Sequence, residues 1–247
     1  MVIGGGTNCL FAFDRYEGIL IRNKYTGHGE IGEKDGKRVI TVKSGELSTT
    51  LAIDLAQKHE TQTLVPWVGL PGTMGGALIG NAGCFGLEMS DILIEAHILD
   101  LTTDEVRTYS RADMQYAYRE SVLKWAGQYF AIDMLLDLTP RSTPYESYNP
   151  TELQQIRREK QPPGLSCGSF FTNPFGYSAG KLIDEAGLKW YRVGWVQISE
   201  HHGNFFLNNE KWTWSDVLAL RDSVKKIVLE KHGIELHEEV RIISDPH

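Results

Sequence analysis

Apolar positions in this chain recur at two spacings, and the change from one to the other marks out its elements. Ile92 to Leu101 and Gln128 to Leu138 alternate apolar and polar residues, the period of a half-buried strand. Arg38 to Val42 is a β-branched strand, and Tyr16-Glu17-Gly18-Ile19-Leu20-Ile21 reads as a shorter one. Val2-Ile3 reads as the tail of a buried strand; Trp195 to Ile198, Phe205 to Leu207 and Glu239 to Ile243 read as later ones. Helical spacing appears from Ser48 to about His59, with Ser48 as cap and Leu51, Leu55 and nearby alanines on one side. A second helix is capped by Ser178 and ended by Gly187. In a third, opened by Thr213 or Ser215 and stopped by Gly233, Val217, Leu220, Val224, Ile227 and Val228 share a face.

Between these lie glycine-punctuated stretches. Gly27 to Lys37 is a polar hairpin or loop, and Pro66 to Gly86 is glycine-rich loop with a short helix. Pro140 to Pro163 is rich in proline and polar residues around a charged helix, Thr151 to Lys160, and reads as a linker between lobes. Strands and helices alternate without a strict repeat, so the expected class is α+β rather than a doubly wound sheet.

A length of 247 residues allows one large domain or two modest ones. A formal net charge of -7 argues against a general nucleic-acid binder, though backbone amides in glycine turns can still bind phosphate. Cys9, Cys84 and Cys167 form no CxxC pair and fit reduced thiols. No apolar run approaches the roughly 18 residues of a membrane span, and the first residues lack a signal-peptide pattern, so the expectation is a cytoplasmic monomer. A strand tip such as Val2-Ile3 is rarely useful without its sheet, so sequence that would normally precede Met1 is expected to be missing.

Several short strings could carry chemistry. Gly4-Gly5-Gly6-Thr7-Asn8 is either a phosphate nest or a tight turn; no helix with a third glycine follows to make a Rossmann fingerprint. Pro71-Gly72-Thr73-Met74-Gly75-Gly76 and Gly80-Asn81-Ala82-Gly83 allow close backbone approach to a flat or phosphate-bearing ligand, or form a buried loop needing small residues. Two such turns suggest an extended ligand with a diphosphate, such as a dinucleotide. Tyr118-Arg119-Glu120-Ser121 offers a guanidinium for a carboxylate, or is a surface helix turn. Glu239 and Arg241 would share a face of the last strand, as an ion pair or as part of a site. Cys167-Gly168-Ser169-Phe170-Phe171-Thr172-Asn173-Pro174 holds a hydroxyl between small residues and aromatic cover, suited to proton delivery in a dry pocket, or is turn-to-strand sequence. His201-His202 lacks HExxH spacing and a nearby cysteine, so no metal is expected.

Taken in order, these strings resemble the UDP-N-acetylenolpyruvoylglucosamine reductases, the MurB family of flavoenzymes in bacterial wall precursor synthesis. Ala179-Gly180-Lys181-Leu182-Ile183-Asp184, Ser199 to Phe205 and Glu239-Val240-Arg241 extend the resemblance over nearly the whole chain. It implies an FAD-binding region of the PCMH/VAO type, its first subdomain truncated, followed by an α+β substrate-binding domain. The implied boundaries are 1–22 for the remnant, 23–164 for the second FAD-binding subdomain and linker, and 165–247 for the substrate domain. Gly4 to Asn8, Pro71 to Gly76 (Pro71, Gly72, Thr73, Gly75, Gly76) and Asn81, Ala82 and Gly83 would lie against FAD. NADPH would reduce the flavin, and N5 would pass hydride to the enolpyruvyl group of UDP-N-acetylglucosamine enolpyruvate. Arg119 and Glu239 match the pair that steadies the carbanion-like species, and Ser169 matches its proton donor. Tyr118, Gly168, Asn173, Lys181 and Arg241 match substrate-binding positions.

Departures accompany the matches. Thr172 stands where the family usually has lysine, and Trp190 and Trp195 stand where it tends to have glycine. The segment between Ser121 and Ser166 is short, as in the subgroup lacking a long tyrosine-bearing loop. Two alternatives follow: a chain that binds the UDP-sugar but cannot retain FAD, or another flavin oxidase on the same scaffold.

Overall fold

The computed structural model describes residues 1–58, 61–140, 149–208 and 211–244. Its contacts divide the chain into two compact units, one of Met1–Gly6 with Gly18–Gln155, the other of Thr7–Glu17 with Ile156–His247. The segment 1–22 is therefore shared between the two. Most of the expected linker from Pro140 to Pro163 lies outside the described residues or in the helix Pro150–Lys160, within which the boundary falls. The architecture is α+β.

The first unit is built on a five-stranded antiparallel sheet. Its strands run in the order Gly32–Lys34, Lys37–Lys43, Tyr129–Asp137, Leu93–Asp100 and Glu105–Ser110. Alternation sets the packing face: Val42 and Ile40 are buried while Thr41 between them is exposed. Against Ile40, Val42, Ala96, Ile98, Met134 and Leu136 pack Leu51, Ala52 and Leu55 of the helix Ser48–Gln57. The helix Met74–Ile79 adds Met74, Ala77 and Leu78. Each large side chain buried here contributes about 1.5–3 kcal/mol. Trp67 is fully buried and its indole N–H donates to the Leu87 carbonyl at 3.0 Å.

Local expectations in this unit are met only in part. Ser48 does not cap its helix: Leu47 occupies the cap without a side-chain bond, and Ser48 is buried with its N–H on the Gly72 carbonyl at 3.2 Å. The helix is observed to Gln57, and His59 lies outside the described residues. Of the expected strand ending at Ile21, only Ile21–Arg22 pairs, in parallel with Val2–Ile3; Ile19 and Leu20 are exposed. The strand Glu105–Ser110 was not anticipated, because its Glu-Val-Arg-Thr-Tyr-Ser sequence lies on the sheet edge with little burial to pattern it.

The second unit combines a three-stranded antiparallel sheet (Arg192–Val193, Val196–Ile198, Phe206–Asn208) with a parallel pair, Cys9–Ala12 and Arg241–Ser244. Phe170 stacks on Phe206 with centroids 4.2 Å apart, and Phe171 meets both rings edge-on. Around them pack Leu182 and Ile183 of the helix Ala179–Glu185 and Val217, Leu220, Val224 and Val228 of the helix Trp214–His232. The caps are those expected. Ser178 accepts from the Lys181 N–H; Thr213 forms a reciprocal box with Asp216, and Gly233 closes the long helix at φ +67°. The last strand begins at Arg241, after a bend at Val240. Glu239 therefore precedes it, and strand alternation does not relate Glu239 to Arg241.

Candidate active site

In the first unit, two glycine-rich strings far apart in sequence meet. A Cβ on Gly4 would run into the Thr73 hydroxyl, and one on Gly75 would stand 2.9 Å from Ser44 Cβ and 3.0 Å from the Ser44 carbonyl oxygen. These two glycines are required by the protein's own packing. Thr73 caps the helix Met74–Ile79, its hydroxyl accepting from the Gly76 N–H at 3.3 Å. Gly72 and Gly6 are left-handed, at φ +111° and +70°. Gly76 differs: it is exposed, and a Cβ there would find only ordinary contact, with Thr73 Oγ1 at 3.6 Å. Nothing in the protein excludes a side chain at Gly76, so its bareness fits a backbone that a ligand approaches. Pro71 is exposed as well.

The second glycine cluster is tied to the Tyr118–Ser121 string, a contact no local pattern could show. Asn81 is buried at φ +43° and its carboxamide is engaged within the protein. Its Nδ2 donates to Glu88 Oε2 at 3.1 Å and to the Ala117 carbonyl at 2.9 Å, and its Oδ1 accepts from the Ser90 N–H at 3.0 Å. Ala82 exchanges backbone bonds with Ala77 and Met89, leaving Asn81–Gly83 as a fixed shelf. Arg119 lies on this shelf. Its Nη2 donates to the Gly83 carbonyl at 2.8 Å and its Nη1 to the Asn81 carbonyl at 3.5 Å, with Glu88 Oε1 3.7 Å away. The guanidinium also covers the exposed Tyr118 ring at 4.9 Å.

The string is not the helix turn that its sequence allowed. Ala117 and Glu120 exchange both backbone bonds across it, at 3.0 and 3.2 Å, making Tyr118 and Arg119 the central pair of a tight turn. Positive φ falls only on the second of them, Arg119 at +57°, where a type II turn usually takes glycine. An arginine there costs about 1–3 kcal/mol and persists only where the surroundings over-determine it.

In the second unit, Ser169-Phe170-Phe171 forms the middle of a short hydrogen-bonded layer. On one side Ser169 bridges Phe205, and the Phe170 N–H donates to the Asn204 carbonyl at 2.8 Å. On the other, Phe171 bridges Glu238, and the Glu239 N–H donates to the Phe170 carbonyl at 2.8 Å. Ser169 and Glu239, 70 positions apart, are thus held on adjoining backbones. Buried Asn204 completes the grip: its Oδ1 accepts from the Phe171 N–H at 2.9 Å and its Nδ2 donates to the Phe171 carbonyl at 2.7 Å. Gly168, at φ +83°, turns the chain into this segment.

Further contacts fix Glu239. Asn8, assigned from sequence to the cofactor, belongs to this unit; its Nδ2 donates to the Glu239 carbonyl at 3.1 Å, and its own carbonyl accepts from the Arg241 N–H at 3.0 Å. Neighbouring Glu238 is held by Lys225 Nζ at 3.1 Å and Arg221 Nε at 3.5 Å, both on the long helix. Thr172 occupies its lysine-to-threonine position with N–H and hydroxyl both on the His237 carbonyl. Asn173 Oδ1 accepts from the Ala179 N–H at 3.0 Å, and Lys181 is exposed, 3.6 Å from Glu185. Burial pushes the Cys167 thiol up to about 11 and raises Cys9 as well, the latter against the pull of Arg241, so both sulfurs stay protonated near neutrality.

Two family models match the chain. An "FAD binding domain" model matches residues 1–109, and a model described as "UDP-N-acetylenolpyruvoylglucosamine reductase, C-terminal domain" matches residues 159–243. With glycine turns that fit such a cofactor, the chain is a flavin-dependent oxidoreductase whose cofactor is FAD. A UDP-N-acetylenolpyruvoylglucosamine reductase of Caldanaerobacter subterraneus is 33% identical over 99% of this chain and 79% of its own length. The Bacillus subtilis protein of that name is 36% identical over 98% and 79%. The crystal structure of MurB from Thermus caldophilus matches with a TM-score of 0.80 at 29% identity, covering 98% of this chain and 84% of that one. The chain belongs to the UDP-N-acetylenolpyruvoylglucosamine reductase family.

Proposed function

We propose that this enzyme reduces UDP-N-acetylglucosamine enolpyruvate to UDP-N-acetylmuramate with NADPH, in the cytoplasmic synthesis of peptidoglycan precursors. The observation that carries the reading is the layer around Ser169. Ser169 opens a segment whose two following aromatics are fully buried and which is bonded on both sides, with Glu239 on the adjoining backbone. FAD, held by the glycine turns, would supply the hydride, drawn from NADPH, for the terminal carbon of the enolpyruvyl double bond. Ser169 gives its hydroxyl proton to the adjacent carbon, and the vinyl ether becomes a lactyl ether. Serine is a poor acid in water, but a carbanion-like carbon is basic enough to accept its proton when the geometry is held. Arg119 supports the substrate carboxylate into which the negative charge spreads, as a charge-assisted donor. Glu239 is assigned, with Arg119, to steadying the carbanion-like species. Gly4–Gly6, Gly72, Gly76 and the Asn81–Gly83 shelf offer backbone to the cofactor, and Tyr118, Gly168, Asn173, Lys181 and Arg241 are assigned to substrate.

The test separates the two half-reactions of the FAD-loaded protein by anaerobic stopped flow. Ser169→Ala should be reduced by NADPH at the wild-type rate and reoxidised by the enolpyruvyl substrate about 10²–10⁴-fold more slowly. Wild-type reoxidation in that variant would remove Ser169 from the mechanism.

A further inference from the structure

A buried cation stands beside the strained arginine. Lys124 is 7% exposed, and its ammonium donates to the Arg119 carbonyl at 2.7 Å and to Glu120 Oε1 at 3.0 Å. The other oxygen of the same carboxylate accepts from the Trp125 indole at 3.1 Å, and the Lys124 ammonium sits 4.8 Å over that ring. Ser121, between them in sequence, donates its hydroxyl to the Ile79 carbonyl at 2.6 Å. Lysine is rarely buried to this degree unless its charge has defined work, and here both its partners belong to one turn.

The Arg119–Glu120 peptide is held at both ends: its Glu120 N–H donates to the Ala117 carbonyl at 3.0 Å, and its Arg119 carbonyl accepts from Lys124. The Lys124 bond fixes the direction of that carbonyl and so steadies the strained backbone on which the Arg119 guanidinium is mounted. Trp125 and Lys124 together clamp Glu120 on the far side. From the turn so held, the guanidinium of Arg119 reaches the Gly83 and Asn81 carbonyls.

We infer that Lys124 is a positioning residue for the reaction: it locks the Tyr118–Arg119 turn in its strained form and so aims the Arg119 guanidinium. This rests on the reading of Arg119 as a group that touches substrate.

The experiment is a double-mutant cycle on the FAD-loaded protein with Lys124→Met, Arg119→Gln and both together. Flavin content, thermal midpoint, the rate of flavin reduction by NADPH and steady-state kcat and KM would be recorded. Lys124→Met should lower kcat/KM for the enolpyruvyl substrate about 10- to 100-fold, the cost of a misplaced group, while flavin content and NADPH reduction hold. In the Arg119→Gln background the same change should cost less than about twofold, since its target is gone. Lys124→Arg, which keeps a cationic donor, should recover most of the loss. Should Lys124→Met fail to fold, Lys124→Gln carries the same comparison. Full activity in Lys124→Met alongside an impaired Arg119→Gln, or additive losses in the double variant, would overturn the positioning role. Wild-type turnover in Arg119→Gln would overturn the reading of Arg119, and the positioning role with it.

Discussion

Replacing Asn204 with alanine should unfasten the Ser169 segment, and the structure gives the size of the effect. The carboxamide copies a strand edge: Oδ1 takes the Phe171 N–H at 2.9 Å and Nδ2 serves the Phe171 carbonyl at 2.7 Å. Alanine keeps the Asn204 backbone bond to Phe170 but leaves the two Phe171 groups unpaired. Phe171 is 1% exposed, so water cannot easily take over. An unpaired buried backbone group costs about 1–3 kcal/mol, so two cost about 2–6 kcal/mol, with the lower half expected if a water enters the space. Asn204→Asp should be worse than alanine, because one oxygen would then face the Phe171 carbonyl inside the protein. Equilibrium urea unfolding followed by tryptophan fluorescence measures the loss, and Ser169-dependent flavin reoxidation should slow in parallel. A loss below about 1 kcal/mol in Asn204→Ala would refute the claim that these bonds hold the segment.

Other outcomes follow from the same geometry. His202 is partly buried and its pKa is lowered, desolvation being the largest cause. Its Nδ1 accepts from the Asn204 N–H at 3.1 Å, a role that protonation abolishes. Because the folded state lowers this pKa below the unfolded value of about 6.5, the stabilisation is complete above that pH and is lost as pH falls below it. Urea midpoints of wild type and His202→Gln between pH 7.5 and 5 should therefore converge on acidification; parallel curves would exclude His202 as the cause. Trp190 is a bulky residue at φ +67° and 59% exposed. Trp190→Gly should relieve a strain of about 1–2 kcal/mol and leave stability unchanged or higher, since little burial is forfeited. A fall in thermal midpoint of more than a few degrees would show that the exposed ring packs better than its surface suggests.

Trp190 also shows how far sequence reasoning reaches. The resemblance places glycine there, and the backbone keeps glycine's conformation with tryptophan mounted on it. The long periodic elements were readable for a plain reason: burial on one face writes a regular pattern. The helix Trp214–His232 and the strands Leu93–Asp100 and Tyr129–Asp137 follow it closely. Where burial is weak the pattern vanishes, as on Glu105–Ser110, or misleads, as in the exposed Ile19 and Leu20. The candidate residues of the site were legible one string at a time, but not their connections. Arg119 reaches Gly83 across 36 positions, and Asn8 reaches Glu239 across 231; no local rule relates such pairs. Lys124 could have been noticed as a lone lysine in an otherwise apolar stretch, Val122 to Ala126, but nothing there says that its target is a carbonyl five residues back.

The parallel pairing of Cys9–Ala12 with Arg241–Ser244 has a consequence for how the molecule is made. A ribosome releases the first of these strands long before it makes the second, so the early one must wait, unpartnered, while nearly all the rest emerges. Closing so wide a loop is entropically slow, which makes the waiting edge a natural client for a chaperone.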